Sequence, residues 1–122
     1  MYYLTIEVLR NKNLSALESE KIDSLIEKLR KNEVFLDLLK NGGGDFLEIE
    51  QNAKIGCILF SNIELPTQYF PDEIDDFIYI VETWFDLISS IRLAVIGAEW
   101  SVKVGDKEMY WNEEHGKYDV PF

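Results

Sequence analysis

The stretch PDEIDDFIYIVETWFDLISSIRLAVIG, residues 71–97, decides the fold. Its first turn is nearly all carboxylate (Asp72, Glu73, Asp75, Asp76), and its body is the most apolar segment of the chain. Pro71 followed by Asp72 reads as a helix start, because the aspartate accepts orphan amide hydrogens of the first turn and acids there face the positive end of the helix dipole. One apolar stripe runs through Ile74, Phe77, Ile78, Val81, Phe85, Ile88 and Val95 at helical spacing. A second stripe, Ile80, Trp84, Leu87 and Ile91, lies beside it. Only Asp75, Asp76, Tyr79, Glu82, Thr83, Asp86 and Ser90 are left for solvent. Such a helix needs cover on more than one side, from a sheet beneath it and a loop or partner beside it. Its end has two readings: an exit at Ser89 and Ser90 with a strand beginning over 92–96, or a close at Gly97 as C-cap.

The rest of the chain, at 122 residues, fits a single domain, 1–122, with 47% apolar and 13% aromatic residues to fill one core. One cysteine, Cys57, excludes an internal disulfide and fits a small core residue in a reducing cytoplasm. Met1 leads directly into Tyr2, Tyr3 and Leu4, so no signal peptide is expected, and Glu82 and Asp86 interrupt the longest apolar run, so no membrane span is expected. The localisation these features favour is cytoplasmic. Net charge is −11, and it is unevenly placed: residues 1–44 carry seven acids and seven bases, whereas 45–122 carry sixteen acids and five bases. A surface of that kind either serves solubility or attracts a cationic partner over a distance. Direct nucleic-acid binding is disfavoured, since phosphate contact needs clustered Lys and Arg.

Ahead of this helix, residues 1–9 alternate as a strand with Leu4, Ile6 and Val8 inward. Ser15 and Glu18 have the spacing of a capping box, and the helix behind them puts Ile22, Leu25, Ile26, Leu29, Leu36 and Leu39 inward, with an interruption at Asn32 and Glu33. Lys28, Arg30 and Lys31 form its one basic patch, read as a wet helix face. Gly42 to Gly44 follow a helix and precede a strand, the reverse of the order that phosphate loops need. A strand is expected over 45–51, a tight connection at Asn52 and Ala53, a buried central strand over 55–60 and a surface loop over 61–70. After the long helix, Trp100, Val102 and Val104 alternate with Glu99, Ser101 and Lys103 up to Gly105-Asp106, a two-residue type II′ turn. That register pairs Lys103 with Glu108, Val102 with Met109 and Trp100 with Trp111. Residues 112–122 read as a polar, aromatic-tipped tail that frays or tucks back onto the sheet. The order β-α-β-β-α-β-β predicts an α+β fold: a mainly antiparallel sheet of about five strands with two principal helices packed on it.

No catalytic motif is present. His115 stands beside Glu113 and Glu114 with no second histidine to build a metal site, and the calcium-loop pattern is absent around Asp72, Glu73, Asp75 and Asp76. Nucleophile elbow, nucleotide loop and redox dithiol are missing too, so the expectation is a non-enzymatic protein with no catalytic residues, metal or cofactor. A small hydrolase is the weaker reading. What remains is a binding surface. Asp72, Glu73, Asp75, Asp76, Tyr79, Glu82 and Asp86 form a strip on the exposed helix face, which Glu113, Glu114 and Tyr118 extend, and inhibitors of basic proteins use such clusters to fill a cationic groove.

In length, acidity, the Asp72–Asp76 helix start and the acidic aromatic tail, the chain resembles the small acidic immunity proteins that bacteria make against polymorphic or contact-dependent nuclease toxins. The resemblance implies stoichiometric neutralisation of a basic toxin domain, by covering its active site or its substrate-binding surface. Two other readings predict nearly the same features: a phage-encoded, DNA-mimic-like inhibitor of a nucleic-acid-handling defence complex, and a structural homodimer joined through the second apolar stripe.

Overall fold

The computed structural model describes residues 2–39, 46–65 and 74–119. In chain order the elements are β1 (Tyr2–Leu9), α1 (Ala16–Arg30), α2 (Glu33–Leu38), β2 (Glu50–Lys54), β3 (Cys57–Leu65), α3 (Ile74–Ala94), β4 (Glu99–Val104), β5 (Lys107–Met109), β6 (Trp111–Asn112) and β7 (Lys117–Tyr118). Five strands form an antiparallel sheet in the order β2-β3-β1-β4-β5, and β6 and β7 form a separate hairpin. The fold is α+β, as the element order predicts.

Period-two alternation builds the inner face of the sheet. Leu4, Ile6 and Val8 of β1 pair with Ile63, Ser61 and Leu59 of β3 and with Val104, Val102 and Trp100 of β4. The outer face shows Thr5, Glu7, Asn62, Glu64, Glu99 and Lys103 in the complementary positions. A bulge at Ile58, where Val8 faces Leu59 but Leu9 faces Cys57, lets three consecutive residues of β3 be buried. The β4–β5 turn is as expected: Gly105 has φ 60, Asp106 is not in the positive-φ region, and Val102–Met109 and Lys103–Glu108 face each other.

α3 lies over the inner face. Phe77, Ile80, Val81, Trp84, Phe85, Leu87, Ile88 and Ile91 are all buried, so both stripes are hidden within the chain. Trp84 meets Phe46 edge-on at 5.1 Å, and Phe46 meets Phe35 of α2 at 5.6 Å. The second stripe is therefore covered by the chain itself. The helix runs through Ser89 and Ser90 to Ala94, and Gly97 takes its left-handed conformation (φ 74) in the loop beyond. The expected cap at Asp72 lies outside the described residues.

α1 opens on the expected capping box, with Ser15 Oγ accepting from Glu18 N (3.1 Å) and Glu18 Oε1 accepting from Ser15 N (2.9 Å). Asn32 ends one helix and caps the next by accepting from Phe35 N at 3.0 Å, so the interruption there separates α1 from α2. Arg10, in what the sequence marks only as a polar turn, is a hub. Its guanidinium donates to both Glu18 carboxylate oxygens (2.8 and 2.9 Å) and to the carbonyls of Lys12, Asn13 and Ile96, while its backbone N–H donates to Gly56 O. All five side-chain N–H groups are used, and one residue ties β1 to α1, to the β2–β3 turn and to the α3–β4 loop.

Several local expectations are corrected. The strand expected over 45–51 begins only at Glu50, because Phe46 and Leu47 turn inward as buried anchors. Asn52 and Ala53 are not the connection but an irregularity inside β2, with Asn52 at φ 56, a left-handed conformation that asparagine tolerates. The turn falls at Ile55-Gly56, leaving Ile55 fully exposed, and β3 continues through Ser61–Leu65 where a loop is expected. The final stretch is likewise no frayed tail over 112–119. Trp111–Asn112 pair with Lys117–Tyr118, so Trp111 faces Tyr118 rather than Trp100.

Two measurements test this architecture. Trp84→Ala should cost about 3–5 kcal/mol in urea unfolding, and a loss under 1 kcal/mol would mean that Trp84 is not in the core. Arg10, first by its hydrogen bonds, and then the Ser15 amide hold the Glu18 carboxyl down to about 2 from an ordinary 4.5. A lowered folded-state pKa contributes stability above the unfolded value and loses it as pH falls through the folded one. Stability should therefore drop between pH 4.5 and 2, with a smaller drop in Glu18→Gln. An identical drop in both proteins would remove the pair from the account of acid sensitivity.

Candidate functional site

At 100° per residue, Asp75, Tyr79, Glu82 and Asp86 project within about 40° of one direction from α3, while Asp76 lies about a quarter-turn away. Asp75, Glu82 and Asp86 are exposed. Asp76 and Tyr79 are half-buried, and the Tyr79 hydroxyl accepts from Asn32 Nδ2 at 3.3 Å, which holds its ring against the start of α2. None of the three exposed carboxylates has a cation of the described residues within ion-pair distance. Among the described residues the ion pairs are Arg10–Glu18 and Arg30–Glu27. Asp72 and Glu73 lie outside the described residues.

Two neighbours bound the strip. On one side α1 packs against α3, leaving a groove of about 330 Å³ whose floor includes Leu25, Leu29 and Leu87 and whose rim carries Lys28, Lys31 and Asp86. The basic patch of α1 thus borders the C-terminal end of the strip. On the other side the β6–β7 hairpin packs on α3 through Phe85, Ser89 and Arg92. Its four-residue turn is organised by Asn112, whose Oδ1 accepts from His115 N (3.1 Å) and whose Nδ2 donates to Asp119 (2.8 Å), with Nδ2 3.3 Å from the His115 ring. His115 is a turn residue. Glu113 and Glu114 are exposed on that turn.

Tyr118 does not belong to the surface. It is 3% exposed, its backbone N–H donates to the buried Ser89 hydroxyl at 3.0 Å, and its ring meets Phe85 and Trp111 at 6.5 and 5.2 Å. Burial raises the phenol pKa, against the pull of the hydrogen bond from Arg92. An expected surface anchor is therefore a core residue, because the last hairpin folds back and needs an aromatic to reach the helix.

Arg92 is the side chain that sequence reasoning overlooked. Its guanidinium lies 4.6 Å from the Trp111 ring, 5.4 Å from Tyr118 and 6.0 Å from Trp100, and it donates to the Tyr118 hydroxyl. It is also the one base of α3, placed in the last turn where it faces the negative end of the helix dipole. The signal was there, a single cation inside an acidic helix followed by two tryptophans and a tyrosine. Only the tertiary fold shows that the three aromatics converge on it.

Among the described residues no group of three or more His, Cys, Asp or Glu side chains is placed to hold a metal ion, and no helix is long and apolar enough to cross a membrane. Cys57 is buried, with its thiol 3.2 Å from Leu59 O. Comparison of the chain with protein-family models, with curated proteins and with solved structures gives no match.

Arg92→Leu keeps apolar bulk but removes the cation. Amide exchange at Lys117 and Tyr118 should quicken at least tenfold while exchange in the middle of α3 stays unchanged. Equal protection in both proteins would show that the hairpin is held by packing alone.

Proposed function

We propose that this protein is a non-enzymatic acidic binding protein that neutralises a basic protein partner, acting in the cytoplasm as an immunity protein does when it blocks a nuclease toxin domain. One observation carries the reading: Asp75, Glu82 and Asp86 project in one direction from a helix whose other faces are buried, with no cation of the described residues paired to them. The core immobilises that helix, so the carboxylates are held in place before the partner arrives and little backbone order is lost on binding. Net charge of −11 adds long-range attraction toward a cationic surface. Glu113 and Glu114 add charge on the hairpin turn beside the same helix. The basic residues of α1 oppose Asp86 across a groove, which directs the partner toward the Asp75–Glu82 end of the strip.

The triple variant Asp75→Asn, Glu82→Gln, Asp86→Asn tests this. Each exposed carboxylate contributes about 0.5 kcal/mol to a rim ion pair. The variant should therefore bind a basic partner about tenfold more weakly, with melting temperature nearly unchanged. In pull-downs from the source cell eluted with rising salt, wild type should retain a basic protein that the variant releases earlier. The same partner at the same salt from both proteins would leave the strip as a solvated face.

A further inference from the structure

β3 has nine residues, and its two sides are unequally paired. β1 follows it from Leu9–Cys57 to Tyr2–Leu65, whereas the ladder with β2 ends at Glu50–Phe60. From Ser61 to Leu65, β3 therefore has β1 as its single ladder neighbour among the described residues, and among those residues its other side is a strand edge about 17 Å long. Along a strand, successive peptide groups point to alternate sides, so five residues present donors and acceptors for two or three further main-chain pairs.

A groove of about 310 Å³ runs along this edge, lined by Glu48, Glu50, Phe60, Asn62, Ile63 and Glu64 among others. Among the described residues its lining holds three carboxylates and no cation. The Ser61 hydroxyl donates to Glu48 O at 2.8 Å, which fixes the chain before β2 beside β3 and gives the groove a second wall. Phe60, Asn62 and Glu64 share the outer face, while Ile63 and Ser61 point to the core. Many edges are guarded by lysine, proline or a covering segment. Among the described residues this one carries only negative charge.

We infer that the Ser61–Leu65 edge takes up an extended, lysine- or arginine-bearing segment of the partner as an added strand, with its cations set against Glu48, Glu50 and Glu64. Main-chain pairing supplies the affinity and the carboxylates supply the selection. A second copy of the chain is disfavoured as occupant, because edge-to-edge pairing would bring the same acids together. The inference rests on the basic-partner reading and adds to it the form of the ligand and a site away from α3.

The test titrates ¹⁵N-labelled protein with an alternating lysine–valine hexapeptide with blocked termini. Three controls run beside it: the glutamate–valine counterpart, the lysine peptide N-methylated at alternate residues, and polylysine. Saturable shifts and slowed exchange at amides 61–65 are expected with the lysine peptide alone among the three hexapeptides. Glu50→Lys with Glu64→Lys should weaken it at least tenfold, and Asp75→Asn with Glu82→Gln should leave it within twofold. Equal binding of the N-methylated peptide would overturn strand addition, and equal binding of the glutamate peptide would overturn selection by charge. If the lysine peptide fails at the edge while polylysine shifts α3, the edge inference falls and the basic-partner reading stands. If polylysine also fails at low salt, both fall.

Discussion

The width of the apolar arc on α3 is the constraint from which the rest of the structure follows. A helix lying on a sheet hides one stripe against it, but Ile80, Trp84, Leu87 and Ile91 widen the arc so far that the sheet cannot cover it alone. α1, α2 with Phe46, and the β6–β7 hairpin each take a share of that excess. The strip facing solvent is what remains after three separate elements have packed around one helix. The 100° helical step sets Asp75, Glu82 and Asp86 on that uncovered face and turns Asp76 about a quarter-turn out of it.

Arg10 plays the complementary part at the far end of α3. Helix and sheet packing alone would leave the β1–α1 loop, the β2–β3 turn and the α3–β4 loop as independent surface segments. A single guanidinium, buried enough that only 7% of its side chain is exposed, gathers carbonyls from two of them and the carboxylate of the α1 capping box, and the Arg10 amide reaches the third. The fold is therefore fastened by polar contacts at that end and by aromatic packing along α3.

Much of this was legible in the sequence because it is written in local periodicity. The capping box at Ser15 and Glu18, the break at Asn32 and the Gly105-Asp106 turn each depend on residues within a few positions of one another. The errors fall where a turn glycine or a distant contact overrides the pattern of apolar and polar residues. Ile55 reads as the start of a buried strand because it sits in an apolar run, yet Gly56 at φ 82 makes the turn and ejects it. Residues 61–65 read as loop because Ser61, Asn62 and Glu64 are polar. They are strand because Ser61 to Leu65 pair in register with Ile6 to Tyr2 of β1 and the outer face of the sheet is wet. Within the candidate site, Asp75, Glu82 and Asp86 could be placed on one face from spacing alone. Tyr118 could not be distinguished from a surface tyrosine without the hairpin that turns it inward toward Ser89 and Arg92.

The partly unpaired β3 edge also sets a limit on the conditions the protein tolerates. While its carboxylates are ionised, two such edges repel one another, and the acids act as gatekeepers against sheet growth between molecules. Near the sequence pI of about 4.4 the molecule as a whole carries little net charge, and long-range repulsion between copies is weakest. The Glu18 carboxyl is held down to about 2, first by its hydrogen bonds from Arg10, so this pair still contributes its stability at that pH. Any association of folded copies under those conditions would have the β3 edge as its point of contact, joining intact sheets rather than unfolded chains.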